Sequence, residues 1–406
     1  MRWFGLWCLC LVVLMASPLQ KAIDAAPRGA VIELKPGKYQ GNITINKPIT
    51  IDGIDKSAHI VGDGTGIVIT IRSSNVVIKN LTIEGSGDSS VTMDSGITAF
   101  DSNNITIENN DFLDVLFGID LQQVNRSSII NNYITSKPKP LGLRGDGIRL
   151  WYAHDNTLIG NTLYKSRDFV VWYSSGNIIE KNLGEYGRYS LHFMYAGENI
   201  VKDNVYRYNS VGIFFMYSSG AIAIRNTVSN SIGAFGVGLG MKDASGFTIT
   251  DNDIIYNARG IYIDQSPFQP NMPNVYERNR ILYNSNGVEF QGVREKSIFI
   301  NNVIKGNMEH IVNGDTRNDL GIMEWRNNYW DTYEGFDRDG DGVGDIPYTH
   351  YAYADTLWLY NPDIRFFYGS VVIDVLNFLA KMAPFSQPAL LMTDPEPLME
   401  IPSEIN

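Results

Sequence analysis

Short apolar strands, each followed by a polar turn that closes on asparagine, recur along most of the chain, as in NTLIGN, GNIIEKN, ENIVKDN and AIAIRN. The closing residues Asn161, Asn182, Asn204 and Asn226 lie 21, 22 and 22 residues apart. Asn80, Asn110, Asn132, Asn252, Asn279 and Asn302 extend the series, with irregular spacings where insertions such as SKPKPLGLRG and SPFQPNMPN are visible. Strands of three to five residues rich in Ile and Val, Gly and Asn at the breaks, and almost no helical periodicity exclude a helical repeat. They predict an all-β fold, a right-handed parallel β-helix. One coil cannot bury its inner face alone, so coils stack at ~4.8 Å and share a core. Asparagine at the same turn of every coil tolerates the left-handed conformation and can bond its neighbours along the stack, so the series reads as structural.

Such a stack has open ends that must be covered. Leu19–Ala25 (LQKAIDA) reads as an amphipathic plug for the first coil, and IMEWRNNYWD, closing near Asn327, as a last irregular coil. The expected organisation is a signal peptide over 1–16, an N-terminal cap over 17–30, repeats over 31–330, an Asp-rich loop over 331–350, and a C-terminal cap and partner-docking tail over 351–406. The signal peptide rests on Arg2, the apolar run Trp3–Met15 and the small Ala16 and Ser17; the run is shorter than the ~20 residues a membrane span needs. Both cysteines, Cys8 and Cys10, fall inside it. The exported chain would then hold no thiol, leaving Met and His as its soft metal ligands. A net charge of −11 and the lack of a Lys/Arg stripe exclude nucleic acid as a partner.

Aligned on the closing asparagine, the central coils superpose GIRLWYAH, DFVVWYSS, SLHFMYAG and GIFFMYSS. Successive strand residues face opposite sides. Ile148, Leu150, Phe169, Val171, Leu191, Phe193, Ile213 and Phe215 are therefore inner, and Arg149/Trp151, Val170/Trp172, His192/Met194 and Phe214/Met216 outer. The outer column Trp151, Trp172, Met194, Met216, flanked by Tyr152, Tyr173, Tyr195 and Tyr217, is a stripe that a monomer must cover or use. His192 and Met194 share a strand face with Met216 one coil above, an imidazole and two thioethers suited to Cu(I), and Trp172 one coil below could shield the ion. The alternative is an aromatic stack that only stiffens the sheet. Met241 belongs to the next coil with no facing assigned, and His154 reads as a turn residue.

The stretches RGDGIRLWYAHDN, SLHFMYAGENIVKDN and GIFFMYSSG, with the tail FYGSVVIDVLNFLAKMAPFSQPALLMTDPEP, resemble the NosD family of periplasmic β-helix proteins. That resemblance implies a role in copper supply to nitrous oxide reductase, exercised with an ABC transporter made of a membrane permease and an ATPase, and with a copper chaperone. The copper ligands are inferred from the strand geometry, not from the resemblance.

In GFDRDGDGVGDIPY, Asp337, Asp339, Asp341 and Asp345 alternate around Gly342 like the first half of a calcium loop; position twelve is Tyr348 rather than Glu, which excludes a full EF-hand. Beyond it, VVIDVLNFLAKM has helical spacing at Val372, Val375, Leu376 and Leu379. It reads either as a cap on the core or, with the following PALLMTDPEPLM, as a docking arm for the transporter. The rival class is an exported β-helix polysaccharide lyase or epimerase, or a carbohydrate-binding protein. Such chemistry needs converging carboxylates on the central outer face, and the sequence places Arg149, Val170, His192 and Phe214 there. The expectation is therefore a non-enzymatic accessory protein.

Overall fold

The computed structural model describes residues 17–315, 317–352, 361–367, 370–382 and 389–403. The expected signal peptide lies outside the described residues. Three parallel sheets of 13, 13 and 12 strands run side by side. Within each sheet a strand pairs with the third strand before it and the third after it, so each coil of a parallel β-solenoid contributes one strand per sheet. Ile179, Val201 and Ala223 pair in register through successive coils of the first sheet and are fully buried. Toward the C-terminus the same column widens to Tyr276, Phe299 and Trp325, whose rings stack at 4.5 and 4.0 Å. Each such side chain contributes on the order of 2 kcal/mol of burial, and only stacking supplies the cover.

The asparagine series is a buried ladder. The Asn182 backbone N–H and Nδ2 both donate to Asn204 Oδ1 (2.9 and 3.0 Å), and Asn182 Nδ2 also donates to the Leu158 carbonyl (3.0 Å). Asn204 does the same to Asn226, and the pattern runs from Asn110 to Asn328. The left-handed residue is the one before each ladder asparagine: Lys181, Asp203 and Arg225 have φ of 54°, 57° and 52°. Two closing positions shift accordingly. Asn80 and Asn327 are themselves left-handed (φ 57° and 54°), and the ladder places belong to Leu81 and Asn328. Further ladders run through Asn156, Asn177 and Asn199 and through Asn257, Asn284 and Asn307.

The N-terminal cap forms as the amphipathic spacing requires. Helix α1 (Pro18–Ala25) starts on Ser17, whose Oγ accepts from Gln20 N–H, and buries Leu19 and Ile23 on the first coil. Gln20 also bonds Thr44 as a strand would, accepting from its N–H (2.7 Å) and donating to its carbonyl (3.0 Å).

At the other end PALLMTDPEPLM, expected as an extended arm, is paired with the chain instead. Residues 389–394 of PALLMTDPEPLM form a strand antiparallel to Tyr348–Ala352 and bury Leu391 and Met392. Asp394 takes the place of the next ladder asparagine: its Oδ2 accepts from Asn328 N–H (3.1 Å), Asn328 Nδ2 (2.9 Å) and Trp330 Nε1 (3.1 Å). The segment is a lid on the last coil, because those buried donors have no further coil to bond. On helix α2 (Val371–Met382), Val372, Val375, Leu376 and Leu379, the residues whose spacing marked it as a cap, are exposed, and Ile373 is buried. Among the described residues no helix is long and apolar enough to cross a membrane.

Candidate functional site

The outer face of the third sheet follows the expected register. Trp151, Trp172, Met194, Met216 and Lys242 are consecutive partners in one column, and Arg149, Val170, His192, Phe214 and Gly240 in the other. Leu150, Val171, Phe193, Phe215 and Met241 are fully buried inside, which places Met241 in the core. The column that holds His192 is less open than strand alternation alone implies: Val170, His192 and Phe214 are 3%, 7% and 7% exposed.

His192 Nε2 lies 3.2 Å from Met216 Sδ. Met194 is the in-register neighbour of Met216, half-buried beside it. The Tyr189 ring stacks on the imidazole at 4.7 Å and 20°. Burial pushes the His192 pKa down, the Asp168 carboxylate pulls it up, and Arg188 pushes it down again, with burial prevailing. A neutral imidazole with a free lone pair is the form a metal takes.

Gly240, the next residue in the column, leaves room for the Phe214 ring. A Cβ there would lie 2.3 Å from Phe214 Cε2, so the Phe214 ring lies over the bare backbone of the next coil. Gly240→Val should cost about 1–3 kcal/mol through overpacking and drive Phe214 toward its other column neighbour, His192. Urea unfolding of the variant checks this; unchanged stability would show that the ring moves freely.

Trp172 is in register with Met194, but the Arg149 guanidinium lies 5.5 Å from its ring centre and 5.8 Å from that of Trp151. Trp172 therefore already carries a cation, and Arg149 is in turn held by the fully buried Asp120 (3.0 Å). Tyr152, Tyr173, Tyr195 and Tyr217 stack at 4.9 to 5.1 Å along the turn that ends this sheet. His154 Nδ1 accepts from Ser175 N–H, a turn role as expected.

Asp146, visible in RGDG as a lone carboxylate, has a second buried carboxylate beside it, Asp168, that the sequence reading did not single out. Asp146 accepts from Arg167 (2.9 Å), and Asp168 is paired with Arg188 from the following coil. Burial, and then the neighbouring Asp168, push the Asp146 carboxyl up to about 6. Each is closed by an arginine and at most 5% exposed, an ion-pair ladder rather than an open pair. Asp337, Asp339 and Asp341 bring one carboxylate oxygen each within 4.8 Å of one another. Asp345 is not part of that group; its Oδ2 accepts from Arg338 N–H (2.7 Å), while Asp337 accepts from Gly340 and Gly342 N–H.

Residues 130–335, which contain the His192–Met216 contact, match the family model NosD, described as "Periplasmic copper-binding protein (NosD)". The chain belongs to the NosD family. Two curated relatives, each named "Probable ABC transporter binding protein NosD", come from Stutzerimonas stutzeri and Pseudomonas aeruginosa. Each is 28% identical, over 91% of this chain and 87% or 88% of the relative. Among solved structures, the A-module of the mannuronan C-5 epimerase AlgE6 of Azotobacter vinelandii superposes with a TM-score of 0.59 at 17% identity, over 72% of this chain and 90% of the module. At that identity the likeness concerns the solenoid and not the chemistry. NosD membership covers the coils that carry both columns, and the lid at 389–394 lies beyond the matched span.

Proposed function

We propose that this chain is a periplasmic Cu(I)-handling accessory protein, not an enzyme, that works with an ABC transporter in assembling the copper centre of nitrous oxide reductase. The observation that carries this reading is the 3.2 Å contact between His192 Nε2 and Met216 Sδ, with Met194 in register beside it. Copper is cargo here. An imidazole and thioethers near the surface hold Cu(I) while leaving a position for a partner's ligand, such as a copper chaperone's. Family membership supports the metal, and the relatives' names support the transporter. Anaerobic Cu(I) titration of a chain beginning at Ser17 should show one equivalent bound. His192→Ala should weaken it about tenfold or more. No binding by the parent chain would sink the reading.

Helix α2 is the surface we assign to the transporter's membrane permease. Val371, Val372, Val375, Leu376, Phe378 and Leu379 are all more than two-fifths exposed, an apolar face that water alone does not suit. The double change Val375→Asp, Leu379→Asp should leave the melting temperature within a few degrees, since both side chains are exposed. It should abolish co-purification with the permease. Retained co-purification would move the docking surface elsewhere.

A further inference from the structure

Strand alternation puts every second residue outside, so Tyr189, three positions before His192, should face the core. It does not. Asp168 pairs with Tyr189 and Val170 with His192, so two steps on one strand meet three on the next. The extra residue is a β-bulge, and it turns Tyr189 onto the same outer face as His192. The next coil keeps the longer spacing, with Val211 opposite Tyr189 and Phe214 opposite His192. The bulge thus enters the sheet at the coil that carries the imidazole.

Tyr189 is itself fixed from several sides. Its N–H donates to Asp168 Oδ1 (3.1 Å), and the same oxygen accepts from Arg188 Nε (3.0 Å). The Arg188 guanidinium lies 5.2 Å from the centre of the Tyr189 ring, and Phe214 meets that ring edge-on at 6.0 Å and 88°. The ring that results lies nearly parallel to the imidazole at 4.7 Å. An aromatic face held there leaves the imidazole one plane to lie in, and in that plane Nε2 points at Met216 Sδ.

We infer that Tyr189 is a positioning residue for the copper site: its ring, aimed by the bulge and held through Asp168 and Arg188, selects the His192 rotamer that faces Met216. This rests on the copper reading above. The face of the ring does the positioning, so the phenol hydroxyl is dispensable and phenylalanine should substitute for tyrosine.

Two measurements separate the inference from the reading beneath it. In the metal-free chain, NMR of the His192 ring protons should show one conformer shifted upfield by the stacked ring, kept in Tyr189→Phe and lost in Tyr189→Leu. In the Cu(I)-loaded chain, Tyr189→Phe should bind as the parent does, and Tyr189→Leu 10- to 100-fold more weakly, the range seen when a ligand's orienting neighbour is removed. A Tyr189→Leu variant with unchanged imidazole resonances, or with parental Cu(I) affinity, overturns the positioning role. Should Tyr189→Leu fail to fold, Tyr189→Met, an unbranched apolar replacement, takes its place in both measurements. A parent chain that binds no Cu(I) sinks the copper reading, while the metal-free spectra still decide whether Tyr189 orients His192.

Discussion

Asp394→Ala is expected to destabilise the C-terminal end of the solenoid by roughly 2 kcal/mol or more. The change strips the acceptor from two buried donors, Asn328 N–H and Trp330 Nε1, each costing about 1–3 kcal/mol when left unpaired, while Asn328 Nδ2 keeps the Phe299 and Arg326 carbonyls. Asp394→Asn keeps an oxygen in the same place and should cost only about 1 kcal/mol. Because a solenoid's stability is built from neighbouring coils, the loss should be local before it is global. Hydrogen exchange at Asn328 and Trp330 should speed up in Asp394→Ala ahead of any change at Asn204. Equal exchange in variant and parent would show that Asp394 does not close the ladder.

Acid should loosen the same end. His350, on the strand that pairs with the lid, has its Nε2 buried, and a hydrogen bond with the Ile311 backbone pulls its pKa up. Its Nδ1 lies 3.2 Å from Tyr348 Oη, and its ring 6.3 Å from that of His310, which faces Asp331 (2.8 Å) and the Trp330 ring. Burial, and then His310, push the His350 imidazole down to about 4. A depressed imidazole pKa favours the folded chain only while the group is neutral. The contribution is complete above about pH 6.5 and is lost as the pH falls toward 4, up to about 3 kcal/mol in all. The urea midpoint should fall between pH 7 and pH 4.5 in the parent and fall less in His350→Phe. Identical slopes would remove His350 from the account.

The solenoid was legible because its costliest requirement, a bonded polar group at every buried turn, writes one residue type into the chain at a regular distance. The same economy hid two details. Asparagine also serves the left-handed position just before the ladder, as in the doublets Asn109–Asn110 and Asn131–Asn132, so a lone Asn80 could be read as either. The extra ladders left a visible signal, asparagines five apart in Asn156/Asn161, Asn177/Asn182 and Asn199/Asn204, that the period alone did not prompt.

At the candidate site, alternation sufficed for His192, Met194 and Met216, whose strands pair in the expected register. It failed for Tyr189, since one inserted residue reverses the facing of everything before it. The lid was illegible for another reason. Tyr348–Ala352 and Ala389–Asp394 pair across a long excursion that includes α2, and neither strand carries the repeat. An aspartate standing where the ladder needs an asparagine looks, in sequence, like part of a Pro-rich tail.

The central claim is that His192, Met194 and Met216 together hold Cu(I). X-ray absorption at the copper edge tests it on a chain beginning at Ser17, which retains neither Cys8 nor Cys10, so any sulfur bound to copper must come from methionine. The expected result is a Cu(I) site with one imidazole nitrogen and two sulfur neighbours, and one sulfur fewer in both Met194→Leu and Met216→Leu. Copper bound through nitrogen and oxygen alone, or sulfur counts unchanged in both variants, would contradict it.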